Sequence, residues 1–247
     1  MIKKITQEII EELKKTAPKL TPEQIKRRNK ILNSDNPKFI GYGHKISEIE
    51  KLTKKIYKKY QCNYEDSLVI FKNLVSSNIH EVKFASIFFL NHVKGNFNQA
   101  TIDIIEDAFS KYCDTWAFCD SSCIRVIGPF LGKKNNQILA DRTIDKWSNS
   151  ENLWIRRASL VILLKIIMIK KEFNDGYVYE FVEKMLKYPE DYIQKGIGWL
   201  LKTCSKYNPD LIFKYLMKNK GKLSRLILRY ASEKLSKEKR AKILLFD

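Results

Sequence analysis

A recurrence of about 37 residues constrains the fold of this chain more than any other feature of its sequence. Four apolar runs each open with a small residue, at Ala85, Ser122, Ala158 and Gly196, at intervals of 37, 36 and 38 residues. A steady period near this length is typical of stacked helix pairs, as in HEAT-like arrays. We therefore predict an all-α, HEAT-like helical-repeat solenoid with a concave basic face, in which the small residues let neighbouring helices approach closely.

Helical periodicity and start signals support this fold class along the whole chain. Ile5, Ile9, Ile10 and Leu13 form one apolar helical stripe. Capping boxes are predicted at Thr21, where Pro and Gln follow at the first and third helical positions, and at Ser47. Further helices are predicted over 64–77, 80–94, 98–112, 118–131, 136–148, 152–171, 175–187, 190–207, 209–219, 222–235 and 236–245.

Residues that form turns are sparse, with 9 Gly and 6 Pro in 247 residues. A β-sandwich or barrel normally needs more of them, so this balance also favours helices. The segment Ser34 to His44 contains one Pro and two Gly, and it is predicted to be the longest irregular connection. We predict a single domain over residues 1–247, in which residues 1–60 form N-terminal helices.

The net charge points to a polyanionic partner. Lys and Arg number 46 against 28 Asp and Glu, which gives +18. Nucleic acid is the first candidate and an anionic membrane surface the second, whereas Lys-rich solvated faces are the structural alternative. The bias is concentrated, since residues 26–59 and residues 214–247 each hold eleven basic and three acidic residues. These segments are predicted to contact phosphates.

No secretory signal or membrane span is predicted. The segment Met1 to Lys15 is charged and amphipathic, and the most apolar run, from Leu160 to Ile169, is interrupted by Lys165 and is too short to cross a bilayer. We predict a cytoplasmic, nucleoid-associated protein.

The five cysteines do not form a metal motif. Cys113, Cys119 and Cys123 cluster, but no CxxC pair is present and the three histidines stand elsewhere in the sequence. We predict reduced, mostly buried thiols and neither a metal nor a cofactor.

Three segments carry residues that suit chemistry on a nucleic acid. The first contains Trp116 and Asp120, which are four residues apart and share one face of a helix. The second is Asn152 to Ala158, with two adjacent arginines, and the third is Tyr192 to Lys202. Asp120, Arg157 and Trp199 each lie within one helical turn of the small residue that opens the apolar run of their repeat.

These segments resemble the DNA alkylation repair (AlkD-like) DNA glycosylases, which are built from HEAT-like repeats. The resemblance rests on the order Trp-x-x-x-Asp, Trp-x-x-Arg-Ala and Gln-Lys-Gly-Ile-Gly-Trp, and it runs from about Asp114 to Lys218. Before residue 60 it is weak, and Ala117 stands where some members carry an acidic residue. The resemblance implies a monofunctional alkylpurine DNA glycosylase, a hydrolase of base excision repair that acts on alkylated double-stranded DNA.

The resemblance also implies residue roles. Asp120 matches the catalytic aspartate, and Trp116 and Trp199 match the two tryptophans that flank the damaged nucleotide. Arg157 matches an arginine that contacts the DNA backbone near the lesion. The family excises cationic bases, typically N3-methyladenine and N7-methylguanine, without a metal and without a base-flipping pocket. DNA-binding residues are also expected in these segments: Lys165 and Lys202, which match basic contact positions, and Lys195 and Arg156.

The expected chemistry is consistent with these residue types. Breaking the glycosidic bond of a cationic purine builds positive charge on the deoxyribose, which a carboxylate stabilises. Tryptophan faces favour a nearby cation, and Arg can hold a phosphate through two hydrogen bonds.

Structural alternatives stand beside several of these roles. Asp120 could cap a helix that begins at Ser121. Trp154 is expected in the core, and Trp199 could lie there too. Arg157 could form an ion pair between repeats. Cys119 is expected to pack rather than to react.

Two other functions remain open. A non-catalytic HEAT-repeat protein could bind damaged or branched DNA, although bare phosphate binding gains nothing from a carboxylate at Asp120. A protein-binding HEAT scaffold predicts an acidic or apolar groove, which the net positive charge argues against. No obligate protein partner is inferred, and we expect a monomer.

Overall fold

The structure, a computed structural model, describes residues 1–34 and 36–245. Residue 35 of the predicted irregular connection and residues 246–247 of the basic C-terminal segment lie outside the described residues. The α-helices are α1 (Ile2–Lys15), α2 (Pro22–Leu32), α3 (Ile46–Tyr60), α4 (Tyr64–Val75), α5 (His80–Leu90), α6 (Gln99–Tyr112), α7 (Trp116–Ser122), α8 (Gly128–Leu131), α9 (Gln137–Ser148), α10 (Leu153–Lys170), α11 (Asp175–Met185), α12 (Asp191–Cys204), α13 (Pro209–Lys218), α14 (Arg225–Ala231) and α15 (Lys237–Leu244).

The all-α prediction is confirmed, and the regular elements form a helical-repeat fold. Within the described ranges, extended pairing is limited to one parallel bridge between Ile40 and Ile79. Short 3₁₀ turns occur at Asn91–Asn96, Lys134–Asn136 and Ser232–Lys234, and a π-helical turn occurs at Cys123–Ile127.

The helix-start predictions are half right in the N-terminal region. The Thr21 hydroxyl accepts from the backbone N–H of Gln24, and the Gln24 side chain accepts from the N–H of Thr21, so this capping box is confirmed. The box at Ser47 is wrong, because the N-cap of α3 is Lys45, two residues earlier. There the backbone N–H of Lys45 donates to the Glu48 carboxylate at 2.8 Å. Glu50, the partner expected for Ser47, instead pairs with Arg125 at 2.7 Å.

The chain divides into two compact units, Met1–Phe130 and Leu131–Asp247, which are described separately. In unit 1, α5 is packed by α3, α4 and α7, and all of its residues are buried. Three residues of the predicted stripe of α1, Ile5, Ile9 and Leu13, are buried, and α1 packs against α3, α4 and α5. The fourth, Ile10, is partly exposed. This packing makes α5 the central helix of unit 1, although it carries Glu81 and Lys83.

In unit 2, α10 packs against α9 and α12, and α12 packs against α14. Two glycines of α12 permit these approaches. A Cβ on Gly196 would lie 2.9 Å from Cδ1 of Leu160 in α10, and a Cβ on Gly198 would lie 2.5 Å from Cβ of Tyr230 in α14. The predicted close approach of helices at small residues therefore holds at α12, on both of its packed sides.

None of the described helices is both long and apolar enough to cross a membrane. The single domain over residues 1–247 and the concave basic face stay predictions.

Candidate functional site

In unit 1, the predicted site residues Trp116 and Asp120 lie on α7. Its N-cap is Thr115, whose hydroxyl accepts from the backbone N–H of Phe118 at 3.3 Å. Asp120 therefore lies inside the helix, and the alternative that it caps a helix beginning at Ser121 is wrong. Trp116 is partly exposed one turn earlier on the same face, whereas Asp120 is 7% exposed.

Buried side chains hold α7 against the core of unit 1. Phe118 and Cys119 are fully buried, and the Phe118 ring packs edge-on against Phe84 and obliquely against Phe109. Because these residues stand between Trp116 and Asp120 in the sequence, the faces of α7 that they occupy are fixed by the core. The carboxylate and the indole are therefore presented by a rigid helix rather than by a loop.

A π-helical turn follows Asp120 directly. The backbone N–H of Gly128 donates to the carbonyl of Cys123, five residues earlier, where an α-helix would use four. The next residue, Pro129, has no N–H to donate to Arg125, so a regular α-helical ladder would be broken here in any case. Single π turns are frequent at functional sites, and this one begins three residues after the candidate carboxylate.

The indole of Trp116 is fastened by a hydrogen bond. Its Nε1–H donates to the backbone carbonyl of Ile31 at 2.9 Å, in the last turn of α2. That carbonyl is one of the C-terminal acceptors that a helix leaves without an internal partner. The bond fixes one edge of the ring and leaves the partly exposed indole a defined orientation.

In unit 2, the predicted site residue Arg157 lies on α10. Arg157 is 5% exposed, and its guanidinium donates through Nη1 to the backbone carbonyl of Tyr192 at the start of α12. It also lies over the Tyr192 ring, 5.9 Å from the centroid. Gly196 adjoins it, since a Cβ there would lie 3.7 Å from Nη1. A well-packed, oriented guanidinium of this kind suits the rigid recognition of a phosphate.

The adjacent arginine, Arg156, is engaged inside unit 2. Its Nη1 donates to the carbonyls of Ser150 and Glu151 at 2.8 and 2.7 Å, and its Nη2 pairs with Glu190. The guanidinium also stacks on Tyr188, 4.4 Å from the ring centroid. Nothing in this geometry favours the predicted DNA contact of Arg156, and the hydrogen bonds indicate that it fixes the turns before α10 and α12.

The two tryptophans of unit 2 have different environments. Trp154 is buried and packs against Tyr192 at a centroid distance of 5.0 Å, so its prediction as a core residue is confirmed. Trp199 is partly exposed on α12, while its neighbours Gly198 and Leu200 are buried. The alternative that Trp199 is a core residue is therefore not favoured.

The predicted DNA-contacting lysines differ in whether a carboxylate of the protein already pairs with them. Lys202 pairs with Glu233 at 2.8 Å, and Lys195 pairs with Asp191 at 3.3 Å. Lys165 is partly buried on α10, and within the described part of the chain its ammonium has no carboxylate partner. Of the three, Lys165 is the lysine whose charge is least compensated by the protein itself.

The cysteine cluster belongs to the core. All five cysteines are buried and none forms a disulfide, as predicted. Burial raises the pKa of the Cys113 and Cys123 thiols well above the usual value, so neither is a thiolate at neutral pH. Among residues 1–34 and 36–245, no group of His, Cys, Asp and Glu is arranged to hold a metal ion.

Sequence reasoning missed a buried polar cluster beside α7. Lys83 pairs with Asp114 at 2.6 Å, and Glu81 accepts from the backbone N–H groups of Tyr42 and Gly43 at 2.8 and 2.6 Å. The available signal was the pair of charged residues, Glu81 and Lys83, at the start of an otherwise apolar helix. Charged side chains in such a position need buried partners.

The fold and these geometries define a helical-repeat protein in which the partly exposed Trp116 stands one helical turn before the nearly buried Asp120. A family profile described as "DNA alkylation repair enzyme" matches residues 9–235, and the chain belongs to this family. A solved structure described as a predicted DNA alkylation repair enzyme from Enterococcus faecalis has a TM-score of 0.73 at 22% identity, covering 90% of this chain and 100% of that one. This likeness supports the fold. No curated protein matches.

Proposed function

We propose that this protein is a monofunctional DNA glycosylase with HEAT-like repeats, which hydrolyses the N-glycosidic bond of cationic alkylated purines in double-stranded DNA. Family membership implies DNA alkylation repair and DNA as a partner. The observation that carries the finer proposal is the placement of Asp120 on α7, one helical turn after the partly exposed Trp116. N3-methyladenine and N7-methylguanine are the proposed substrates, and the cytoplasmic nucleoid is the proposed location.

The proposed role of Asp120 is electrostatic. When the bond between C1′ and the purine nitrogen breaks, its electron pair neutralises the cationic base and positive charge develops on the deoxyribose. A nearly buried carboxylate stabilises that charge more strongly than an exposed one, because water screens it less. Water then adds to C1′ and loses a proton, and the carboxylate is placed to orient it. The cationic base needs no strong acid to leave.

The proposed roles of the other residues follow from their environments. The Trp116 face is available to a cationic base or sugar while its edge is held by Ile31. Trp199 offers a second partly exposed indole face. The guanidinium of Arg157, oriented by Tyr192, is proposed to hold a phosphate.

The lysines and the basic terminal segments are proposed to supply affinity that is independent of DNA sequence. Lys165 is the strongest candidate, because its charge is not compensated within the described residues. Lys195 and Lys202 would contribute by exchanging Asp191 and Glu233 for phosphates. We leave Arg156 out of the proposed contacts, since its guanidinium is engaged with Glu190 and two backbone carbonyls.

The second candidate function is non-catalytic binding of damaged or branched DNA. It is favoured by the burial of Asp120, because a carboxylate that is 7% exposed could serve the fold alone. The two functions differ in one property, the release of free base.

The experiment is the release of methylated purines from duplex DNA treated with a methylating agent. Wild type is compared with Asp120→Asn and with Asp107→Asn, a control in which the same change is made at an exposed carboxylate that pairs with Lys111. We expect release by wild type and by the control, and loss of release by Asp120→Asn with DNA affinity retained or increased. The affinity is expected to hold because the substitution removes a charge that repels phosphate.

The outcomes separate the candidates. Excision by Asp120→Asn at the wild-type rate would refute the proposed role of the carboxylate. No release by any of the three proteins, together with tight and salt-sensitive binding, would favour the non-catalytic function.

A further inference from the structure

A buried ion pair stands beside the candidate site in unit 1. The ammonium of Lys83 lies 2.6 Å from the Asp114 carboxylate, and the two side chains are 3% and 9% exposed. Lys83 also donates to the backbone carbonyl of Tyr112 at 2.9 Å.

Stability alone does not account for such a pair. Removing two charges from water costs free energy that their attraction often fails to recover, so a contribution to stability does not by itself explain this pair. Here one carboxylate oxygen of Asp114 has no hydrogen-bond partner among the described residues, which makes the pair more costly still.

The arrangement imposed by this pair includes the connection between α2 and α3. The Asn36 side-chain amide donates to the same Asp114 oxygen at 3.1 Å and to the Asn78 side chain at 3.0 Å. The cluster therefore joins α5, the turn before α7 and the connection after α2. Three segments that are distant in sequence meet at one carboxylate.

A second hydrogen bond between the same two regions lies close in sequence to the bond between Asn36 and Asp114. Trp116, two residues after Asp114, donates through its indole to Ile31, five residues before Asn36. One hydrogen bond thus ties the last turn of α2 to the first residue of α7, and the other ties the connection after α2 to the turn before α7. They matter because α2 has no buried side chain of its own, so packing does little to hold it.

We propose that Asn36, Asp114 and Lys83 are positioning residues, which hold the C-terminal end of α2 and the Trp116 indole in one orientation. Lys83 fixes the carboxylate of Asp114, two residues before Trp116. Asp114 in turn holds the Asn36 amide, five residues after Ile31, whose carbonyl accepts from the indole N–H. The positioning role itself depends only on these hydrogen bonds and the ion pair. Its consequence for catalysis, a Trp116 face ready to stack, rests on the proposed glycosylase function.

The test uses two variants that perturb the network in different ways. Asn36→Ala removes one donor at a partly exposed position, and Asn73→Ala, on an exposed face of α4, is its matched control. The double variant Lys83→Met with Asp114→Leu replaces the ion pair by apolar side chains, which should leave the melting temperature unchanged or raised. If the ion pair served only the stability of the fold, the double variant would therefore keep the wild-type protection of α2 and the wild-type exposure of Trp116.

Two readouts need no substrate. The first is the rate of tryptic cleavage at the basic residues of α2, Lys26, Arg27, Arg28 and Lys30, followed by mass spectrometry. The second is the quenching of Trp116 fluorescence by iodide, in a Trp199→Phe background where the other tryptophans are buried. We expect cleavage to accelerate about fivefold in both variants, the effect of losing about one net hydrogen bond, and quenching to increase. The control should match wild type.

The catalytic consequence is measured separately, as single-turnover excision. We expect a rate about fivefold lower in both network variants, with the affinity for undamaged DNA changed less. Unchanged cleavage and unchanged quenching in both variants would overturn the proposal. If wild type released no base, the glycosylase function would fail, and proteolysis and quenching would still decide the positioning role.

Discussion

The ammonium of Lys202 lies 2.8 Å from the carboxylate of Glu233, so the protein itself supplies an anion to a lysine that is proposed to contact DNA. Both side chains are partly exposed, and Lys202 also lies 5.6 Å from the centroid of the Tyr230 ring. A phosphate must displace the carboxylate or share the lysine with it. The pair therefore lowers DNA affinity relative to an uncompensated lysine.

Glu233→Gln should increase DNA affinity about threefold at low salt, because it releases Lys202 and removes a charge that repels phosphate. The measurement is a fluorescence anisotropy titration with an undamaged duplex. The control is Asp145→Asn, which breaks the ion pair between Asp145 of α9 and Lys184 of α11. It should bind DNA as wild type does. Equal effects of the two changes would show that only net charge matters and that Lys202 is not a contact.

Lys165→Ala should weaken binding and reduce the slope of log K against log salt by about 0.9, the share of one phosphate contact. The expectation follows from a charge on α10 that no described carboxylate compensates. Affinity measured over a range of salt concentrations gives the slope, and Lys184→Ala is the matched control. An unchanged slope for Lys165→Ala would remove this lysine from the interface.

The tryptophans of unit 2 should separate stability from activity. Trp154→Ala removes a buried ring that packs on Tyr192, and it should lower the free energy of unfolding by about 3–5 kcal/mol. Trp199→Ala should cost less stability, because the indole is partly exposed, and should lower excision more. Urea unfolding and base release are measured on both variants. A larger loss of stability in Trp199→Ala would place that indole in the core.

Gly198→Ala should destabilise the protein by about 1–3 kcal/mol through overpacking. The new Cβ would lie 2.5 Å from Cβ of Tyr230 and 3.2 Å from the backbone carbonyl of Ile227, and neither atom can swing aside. Gly95→Ala is the control, since nothing lies within 4 Å of its Cβ position. It should be neutral or stabilise by about 0.5 kcal/mol. Thermal melts of both variants check the contrast.

The stability of the protein should fall below pH 6.5 because of His80. Burial lowers the pKa of His80 from its usual 6.5 to about 4, while Glu81 and Asp114 raise it and Lys83 and Arg28 lower it further. The folded protein therefore keeps a neutral imidazole that the unfolded chain protonates. Stability is complete above pH 6.5 and is lost as the pH falls towards 4, by about 2 kcal/mol between pH 7 and 5.

Urea unfolding at pH 7 and pH 5 measures this loss, and His80→Phe removes the titrating group between Phe39 and Phe84. The variant should lose less stability than wild type over that interval. His92, whose pKa is also lowered by burial, contributes in both proteins and cancels in the comparison. Identical pH dependence in the two proteins would contradict the prediction.

The sequence was sufficient to predict the helices, because their apolar periodicity and their caps are local signals. It was insufficient wherever two equally good local candidates competed. Asp120 and Thr115 both have side chains that cap helices, and the choice of Thr115 depends on the packing of Phe118 in the core. Ser47 lost its predicted role for a similar reason, because Glu48 reaches the N–H of Lys45 first.

Pairing between distant side chains was the other limit. Lys202 and Glu233 are 31 residues apart, as are Lys83 and Asp114, and each pair forms only when particular helices pack together. The sequence therefore identified the basic residues, but it did not predict which lysines are paired with a carboxylate of the protein itself. The same limit applies to Arg156, whose partner Glu190 stands 34 residues away.

Because of the π turn after Asp120, the direction of the carboxylate depends on the number of residues in the segment Cys123–Ile127. A π turn is one residue more than an α-helix needs, and each residue of a helix rotates the chain by about 100°. Deleting a single residue between Cys123 and Ile127 would restore a regular helix and turn Asp120 by that angle relative to Phe130. An aligned relative with one residue fewer here would retain the aspartate in its sequence and aim it elsewhere.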